Sequence, residues 1–269
     1  MKINKMTGVV GLGNMGGAII GGMLKAGIVN KKYICAFDTD GTKKGRFKRQ
    51  GIKICGNSSI LARDSAIIVL AVKPQEIKGL LREIRDEMTG DKLVVSIAAG
   101  VNTRYIEKIL GKTAVIRVMP NIAIGVGEGA SAICRGRYAM GRDERVAVAI
   151  FGSMGRTFKV EEKLINAVTA VSGSGPAYFF EIINHMVMAA AKAGMPPDIS
   201  RNLVVQTVRG AVEMLEKTKK DPVVLRDMVT SKKGTTIEAL NLMKKMGLKN
   251  IIFKAVFAAK KRANELTFS

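Results

Sequence analysis

Short apolar runs alternate with stretches of helical periodicity through the first half of the chain. One run ends at Gly11. Others at Tyr33–Phe37, Ile67–Val72, Leu93–Ala98 and Thr113–Met119 read as strands two to five, and Gly129–Cys134 as a sixth. Between them, Ala18–Leu24, Pro74–Met88 and Thr103–Leu110 carry helix spacing. Near-continuous apolar strands separated by helices predict a parallel sheet covered on both faces. The second half has no convincing sheet. From Glu162 onward the pattern is helical, with Leu203, Val204, Val208, Ala211, Val212 and Leu215 on one face. Pro196 and Pro197 separate two helices. Asp221-Pro222 opens another, with Asp221 as N-cap and Pro222 at the first helical position. The expected fold is α/β. A doubly wound sheet over residues 1–160 is followed by an all-helical domain over 161–269, whose apolar helices call for a dimer.

Composition changes this picture in three ways. Aromatic residues are 5% of 269 and Trp is absent, so the core is aliphatic. The three cysteines, Cys35, Cys55 and Cys134, are widely spaced and form no metal-ligand pattern. They read as small buried hydrophobes in a cytoplasmic protein. No apolar run approaches the ~20 residues a membrane helix needs. The net charge of +22 raises nucleic-acid binding. The basic residues are spread out, however, and few aromatics can stack on bases. A solvated basic surface that steers an anionic cofactor and substrate is the preferred reading.

The chemistry starts at Gly11-Leu12-Gly13-Asn14-Met15-Gly16. This G-x-G-x-x-G lies between a strand and a helix, the context of a dinucleotide-binding turn. Gly11 permits the tight turn, Gly13 lets backbone approach a pyrophosphate, and Gly16 lets helix and strand pack closely. Asp38 follows the second strand, where a carboxylate can accept from an adenosine ribose diol or simply cap a turn. Lys43, Lys44 and Arg46 nearby could instead meet a 2′-phosphate, so NADPH and NADH both stay open. Ala71-Val72-Lys73-Pro74, the segment Ser96–Val101 that contains Ala98, and Met119-Pro120-Asn121 end later strands, where ligands of doubly wound sheets lie. Ser172-Gly-Ser174-Gly-Pro176 precedes a helix over Ala177–Ala193, as an anion site or as plain capping. Val229-Thr-Ser231-Lys-Lys-Gly234-Thr235-Thr236 sets four hydroxyls around a glycine before the helical run Ile237–Met246. Such a turn can hold a carboxylate on backbone N–H groups and point a hydroxyl at a reacting nitrogen. His185, the sole histidine, reads as structural.

Together these stretches resemble pyrroline-5-carboxylate reductase, nearly end to end. The marks are Gly11–Gly16, Ala71–Pro74, Ser96–Val101, Arg117–Asn121, Ser172–Tyr178, Leu225–Ser231 and Gly234–Leu240. The resemblance implies a Rossmann domain and a helical domain that interlocks with a second subunit, as a homodimer or larger oligomer. It implies hydride transfer from NADPH or NADH to the C=N carbon of 1-pyrroline-5-carboxylate, giving L-proline. By position, Thr236 would hydrogen-bond the ring nitrogen. Ser231 and the N–H groups of Gly234 and Thr235 would hold the carboxylate, with Val229 and Ser174 on the substrate side. Gly11, Leu12, Gly13, Asn14, Met15 and Gly16 would cradle the pyrophosphate, and Asp38 and Asn57 would lie by the adenosine. Ala71, Val72, Lys73, Pro74, Ala98 and Asn121 would lie toward the nicotinamide.

One departure stands out. The family usually has Ser-Pro-Gly-Gly where this chain has Ser231-Lys-Lys-Gly234. A different cyclic imine is therefore an alternative substrate. A β-hydroxyacid dehydrogenase, which shares the domain plan, would carry a catalytic lysine where Phe179 stands. A basic binding protein that kept the fold would not need intact cofactor glycines and Thr236.

Overall fold

The computed structural model describes residues Met1 to Thr267. The N-terminal half forms one eight-stranded sheet: β1 (Thr7–Val10), β2 (Ile34–Phe37), β3 (Lys53–Ile54), β4 (Ile67–Leu70), β5 (Leu93–Ser96), β6 (Ala114–Met119), β7 (Gly129–Arg135) and β8 (Gly155–Lys159). The spatial order is β3-β2-β1-β4-β5-β6-β7-β8. The first six strands are parallel, with Val9 opposite Ala36 on one side and Val69 on the other. Six helices cover the sheet: α1 (Asn14–Lys25), α2 (Gly41–Arg49), α3 (Ser58–Asp64), α4 (Ile77–Ile84), α5 (Thr103–Leu110) and α6 (Gly141–Gly152).

The apolar strands are continuous because both faces are buried, and successive residues serve opposite cores. Val9, Ile67, Val69, Leu93 and Val95 join Ile19, Ile20 and Met23 of α1 and Ile150 and Phe151 of α6. Val10, Ile68, Leu70 and Val94 join Leu61 of α3, Leu81 and Ile84 of α4 and Ile106 of α5. This is the period-two division of a doubly wound sheet.

Two strands and one direction differ from the sequence reading. β3 is two residues long, and β8 reads Gly-Arg-Thr-Phe-Lys, so neither carries an apolar run. Short and charged segments suit the two edges of the sheet, which they occupy. β7 runs antiparallel to β6, with Arg117 opposite Cys134. Only residues 120–128 join these strands, too few for the helical crossover a parallel neighbour needs.

A buried lysine closes one end of this sheet. Lys92 is 8% exposed, and its Nζ donates to the carbonyls of Ala62 (2.6 Å), Arg63 (2.8 Å) and Ser65 (2.9 Å). The ammonium thereby satisfies the final carbonyls of α3, where the helix dipole is negative. Lys92→Met is expected to cost about 2–3 kcal/mol, since it orphans three acceptors at once. Urea unfolding of the two proteins measures this.

Beyond β8 the chain is helical: α7 (Ile165–Val168), α8 (Gly175–Lys192), α9 (Pro197–Thr218), α10 (Pro222–Met228), α11 (Thr235–Lys245) and α12 (Leu248–Glu265). The Asp221 carboxylate accepts from Val223 N–H at 2.7 Å, and Pro222 is the first residue of α10. Contacts divide the chain into two units, Met1–Ser174 together with the chain from Ala259 onward, and Gly175–Ala258. In the second unit α8 packs on α9. Of the apolar face read on α9, Val204 is buried, but Leu203 and Val212 are both 52% exposed. Phe179, Phe180, Ile251 and Phe257 are also exposed. These apolar side chains remain unburied within the chain itself.

Candidate active site

The glycine turn has the geometry its spacing predicts. Gly11 has φ +95°, and a Cβ there would lie 2.5 Å from the Ala71 carbonyl oxygen. A Cβ on Gly16 would lie 1.8 Å from the Gly11 oxygen. Gly13 caps α1 with no side chain, and a Cβ there would meet nothing within 4 Å. An open, side-chain-free approach to the N-terminus of a twelve-residue helix fits a pyrophosphate. Asn14 and Met15 form the first turn of α1.

Around the turn the sheet's C-terminal edge is tied together. Gly11 N–H donates to Phe37 O (2.9 Å), Ala71 N–H to Val10 O (2.8 Å) and Ile97 N–H to Leu70 O (3.1 Å). Asp38, 8% exposed, accepts from Leu12 N–H through Oδ2 (2.6 Å) and from Asp40 N–H through Oδ1 (2.8 Å). Its turn-capping role is therefore realised, and it joins β2 directly to the glycine turn. Asn57 accepts from Ile60 N–H (2.8 Å) as the N-cap of α3. Lys73 N–H donates to Glu76 Oε2 (3.3 Å), and Pro74 opens a single 3₁₀ turn after Val72. Ala98 N–H donates to the buried Ser96 hydroxyl (3.3 Å).

Asn121 sits at the end of β6 with both ends of its amide engaged. Its Oδ1 accepts from Ala130 N–H (3.2 Å), and its Nδ2 reaches Ser172 Oγ (3.5 Å). A Cβ on Gly173 would come within 2.8 Å of Met119 Cε, so this segment packs against the strand end through a glycine. The helix expected to follow Ser172–Pro176 is α8, which starts at Gly175. Residues Thr169–Gly173 form a π-helical turn, and Ser174 has helical φ −85° and ψ −22°. The chain is thus already helical ahead of α8, and Ser174 caps no free helix end.

One cluster escaped the sequence reading. Arg117, 3% exposed in β6, donates to Glu162 Oε1 (3.2 Å). Glu162 also accepts from Thr103 N–H and Thr103 Oγ1, each at 2.8 Å. An arginine inside an apolar strand was the available signal, because a buried charge needs a partner. Nearby, burial, followed by the charge of Glu162, pushes the Cys134 thiol up to about 12. Burial, followed by Cys35, does the same to Cys55. These are inert, protonated thiols.

In the second unit, Val229 follows α10, and Thr230 Oγ1 donates to Arg226 O (2.7 Å). Gly234 N–H donates to Ser231 O (3.1 Å), and a Cβ on Gly234 would lie 2.3 Å from Ser231 Oγ. The Ser231 hydroxyl therefore rests against the backbone that opens α11. Gly234 caps α11 with no side chain, and Thr235 and Thr236 form its first turn. Lys233 has φ +64°, a left-handed conformation without glycine. That geometry costs an L residue about 1–2 kcal/mol. Lys233→Gly is expected to stabilise the protein by up to about 1 kcal/mol, after the extra chain entropy of glycine is set against the relieved strain. Thermal unfolding checks this. His185 lies exposed on α8 with Nε2 3.0 Å from Glu181 Oε1.

The predicted residues thus fall into two groups. Gly11–Gly16, Asp38, Asn57, Ala71–Pro74, Ala98, Asn121 and Ser174 belong to the first unit. Val229, Ser231, Gly234, Thr235 and Thr236 belong to the second. Among the described residues, no cluster of three or more His, Cys, Asp or Glu could hold a metal ion. No helix there is long and apolar enough to cross a membrane.

Comparison with known proteins finds two matched segments of the chain. Residues 162–266 match the family model described as pyrroline-5-carboxylate reductase dimerisation. Residues 6–100 match that described as NADP oxidoreductase, coenzyme F420-dependent. A pyrroline-5-carboxylate reductase of Methanosarcina acetivorans is 40% identical over 98% of both chains. One of Arabidopsis thaliana is 35% identical over 97% of this chain and 95% of its own. Among solved structures, a Plasmodium falciparum pyrroline carboxylate reductase with NADP bound is 31% identical. It covers both chains completely, with a TM-score of 0.91.

Proposed function

The chain belongs to the pyrroline-5-carboxylate reductase family, and from that premise we propose that it reduces 1-pyrroline-5-carboxylate to L-proline with a nicotinamide dinucleotide. The observation that carries the reading is identity of 40% along 98% of a reductase of the same length. The open cradle at Gly13 supports the cofactor class from the structure itself.

When bound, the reduced nicotinamide supplies a hydride. The chain's own residues supply position and charge. Gly11–Gly16 and the first turn of α1 bind the pyrophosphate, and Asp38 and Asn57 serve the adenosine. Ala71, Val72, Lys73, Pro74, Ala98 and Asn121 bound the nicotinamide end. Ser231 and the N–H groups of Gly234 and Thr235 hold the substrate carboxylate at the head of α11, where the dipole is positive. Val229, in the same unit as Ser231, borders the substrate. The Thr236 hydroxyl donates to the ring nitrogen as it gains electrons. A cyclic imine is already electrophilic, so orientation and one donor suffice without a strong base or a metal.

The exposed apolar helices of the second unit are covered, in this reading, by a second copy of the chain. The three unpaired, buried thiols suit a reducing compartment such as the cytoplasm.

The assay mixes purified protein, 1-pyrroline-5-carboxylate and NADH or NADPH, and follows nicotinamide absorbance. Substrate-dependent oxidation of at least one cofactor is the expected result. Silence with both refutes the substrate assignment. Reduction of another cyclic imino acid instead would shift attention to Lys232 and Lys233.

A further inference from the structure

The three cations that the sequence places after β2 each have a partner within the chain. Lys43 Nζ lies 3.7 Å from Asp38 Oδ2 and 3.6 Å from Asp40 Oδ2. Lys44 Nζ lies over the Phe37 ring, 5.5 Å from its centroid. The Arg46 guanidinium lies over the Phe47 ring at 5.8 Å. Two carboxylates therefore share one ammonium at the end of β2. Asp40 also accepts from Thr42 N–H (2.8 Å) and Lys43 N–H (3.2 Å) as the N-cap of α2. These two bonds hold its carboxyl below the usual carboxylate range, so it is charged at neutral pH. The N-terminus of α2, otherwise a place for a phosphate, already holds an anion.

Asp38 is fixed against the glycine turn itself by its bond from Leu12 N–H. Each of its oxygens accepts one backbone N–H, and an ionised carboxylate has capacity for more. A ribose 2′-hydroxyl there would donate a charge-assisted bond. A 2′-phosphate, with a charge of about −1.5 to −2, would meet like charge instead.

We propose that this chain selects the dinucleotide whose adenosine ribose keeps a free 2′-hydroxyl, NADH over NADPH, and that Asp38 with Asp40 sets that choice. The inference rests on the dinucleotide reading given above. Lys43 acts as a counter-ion to the two carboxylates rather than as a phosphate ligand.

Isothermal titration calorimetry of the full-length protein with NADH and NADPH tests it without turnover. NADH is expected to bind about tenfold tighter or more, equivalent to about 1.4 kcal/mol. Asp40→Asn keeps a good helix cap while removing its charge. It is expected to tighten NADPH by about threefold or more and leave NADH nearly unchanged, the size a removed like charge near the surface supplies. Asp38→Asn is expected to weaken NADH and narrow the gap. Because Asp38 also braces the turn, the exposed Asp40 variant is the one that decides. NADPH binding as tightly as NADH would mean that the lysines leave their carboxylates and rings for the phosphate, and would overturn the inference while keeping the cofactor class. An unchanged ratio in Asp40→Asn would overturn the role of that charge. Binding of neither dinucleotide would overturn the cofactor reading and the inference with it.

Discussion

Gly16→Ala is expected to abolish dinucleotide binding and to destabilise the protein by about 3 kcal/mol or more. The added methyl would sit 1.8 Å from the Gly11 carbonyl oxygen and 3.3 Å from Ala71 Cβ. Neither neighbour can yield cheaply. Gly11 is held at φ +95° with its N–H bonded to Phe37 O, and its own pro-Cβ position is closed by the Ala71 carbonyl. Relief requires α1 to move off β1, which opens the cradle at Gly13 and breaks the bond from Leu12 N–H to Asp38. The dissociation constant for either cofactor is expected to rise by about 100-fold or more, near 3 kcal/mol. Gly21→Ala, in the same helix, is the control. A Cβ there meets nothing within 4 Å. That change is expected to stabilise by about 0.5–1 kcal/mol, since alanine is the better helix former. Paired unfolding and binding measurements on the two variants separate steric closure of the turn from general loss of glycine.

Thr236→Ala is expected to lower kcat about 100-fold with a smaller change in KM, while Thr236→Ser keeps most activity. A hydroxyl that donates to a nitrogen gaining electrons acts in the transition state more than in the ground state, and one such donor contributes about 10²–10³ in rate. The carboxylate contacts assigned to Ser231, Gly234 and Thr235 remain in Thr236→Ala, so binding should survive. A KM that rises alone would instead place Thr236 among the binding groups. The position in the first turn of α11, two residues from the cap, makes the alanine change mild for the fold.

Some of this architecture was legible in the chain and some was not, for physical reasons. Helix α5 announces itself because Asn102 caps it, accepting from Tyr105 N–H at 2.7 Å, and an apolar face follows. The central strands are legible because burial on both faces forces unbroken apolar runs. β3 and β8 are not, since edge strands carry the polar residues of loops. The reversal at β7 is a matter of connection length rather than of residue type. A Ser-Gly-Ser-Gly-Pro string has the composition of a helix start, and α8 begins there at Gly175. The π turn through Thr169–Gly173 directly ahead of it has no such signal. At the candidate site, Asp38 had two readings of equal chemistry. Only the bond from Leu12 N–H, across 26 positions of sequence, shows that it braces the turn. Lys233 is visible as a departure, and its positive φ shows that this turn takes the left-handed conformation with a lysine.

The proposed reaction delivers a hydride to the imine carbon of 1-pyrroline-5-carboxylate. Incubation with nicotinamide dinucleotide deuterated at the reducing position of the ring, followed by mass and NMR analysis of the product, tests it most directly. The expected product is L-proline carrying one deuterium at the ring carbon bonded to nitrogen and remote from the carboxylate. Proline without deuterium, or no proline while the cofactor is consumed, would contradict it.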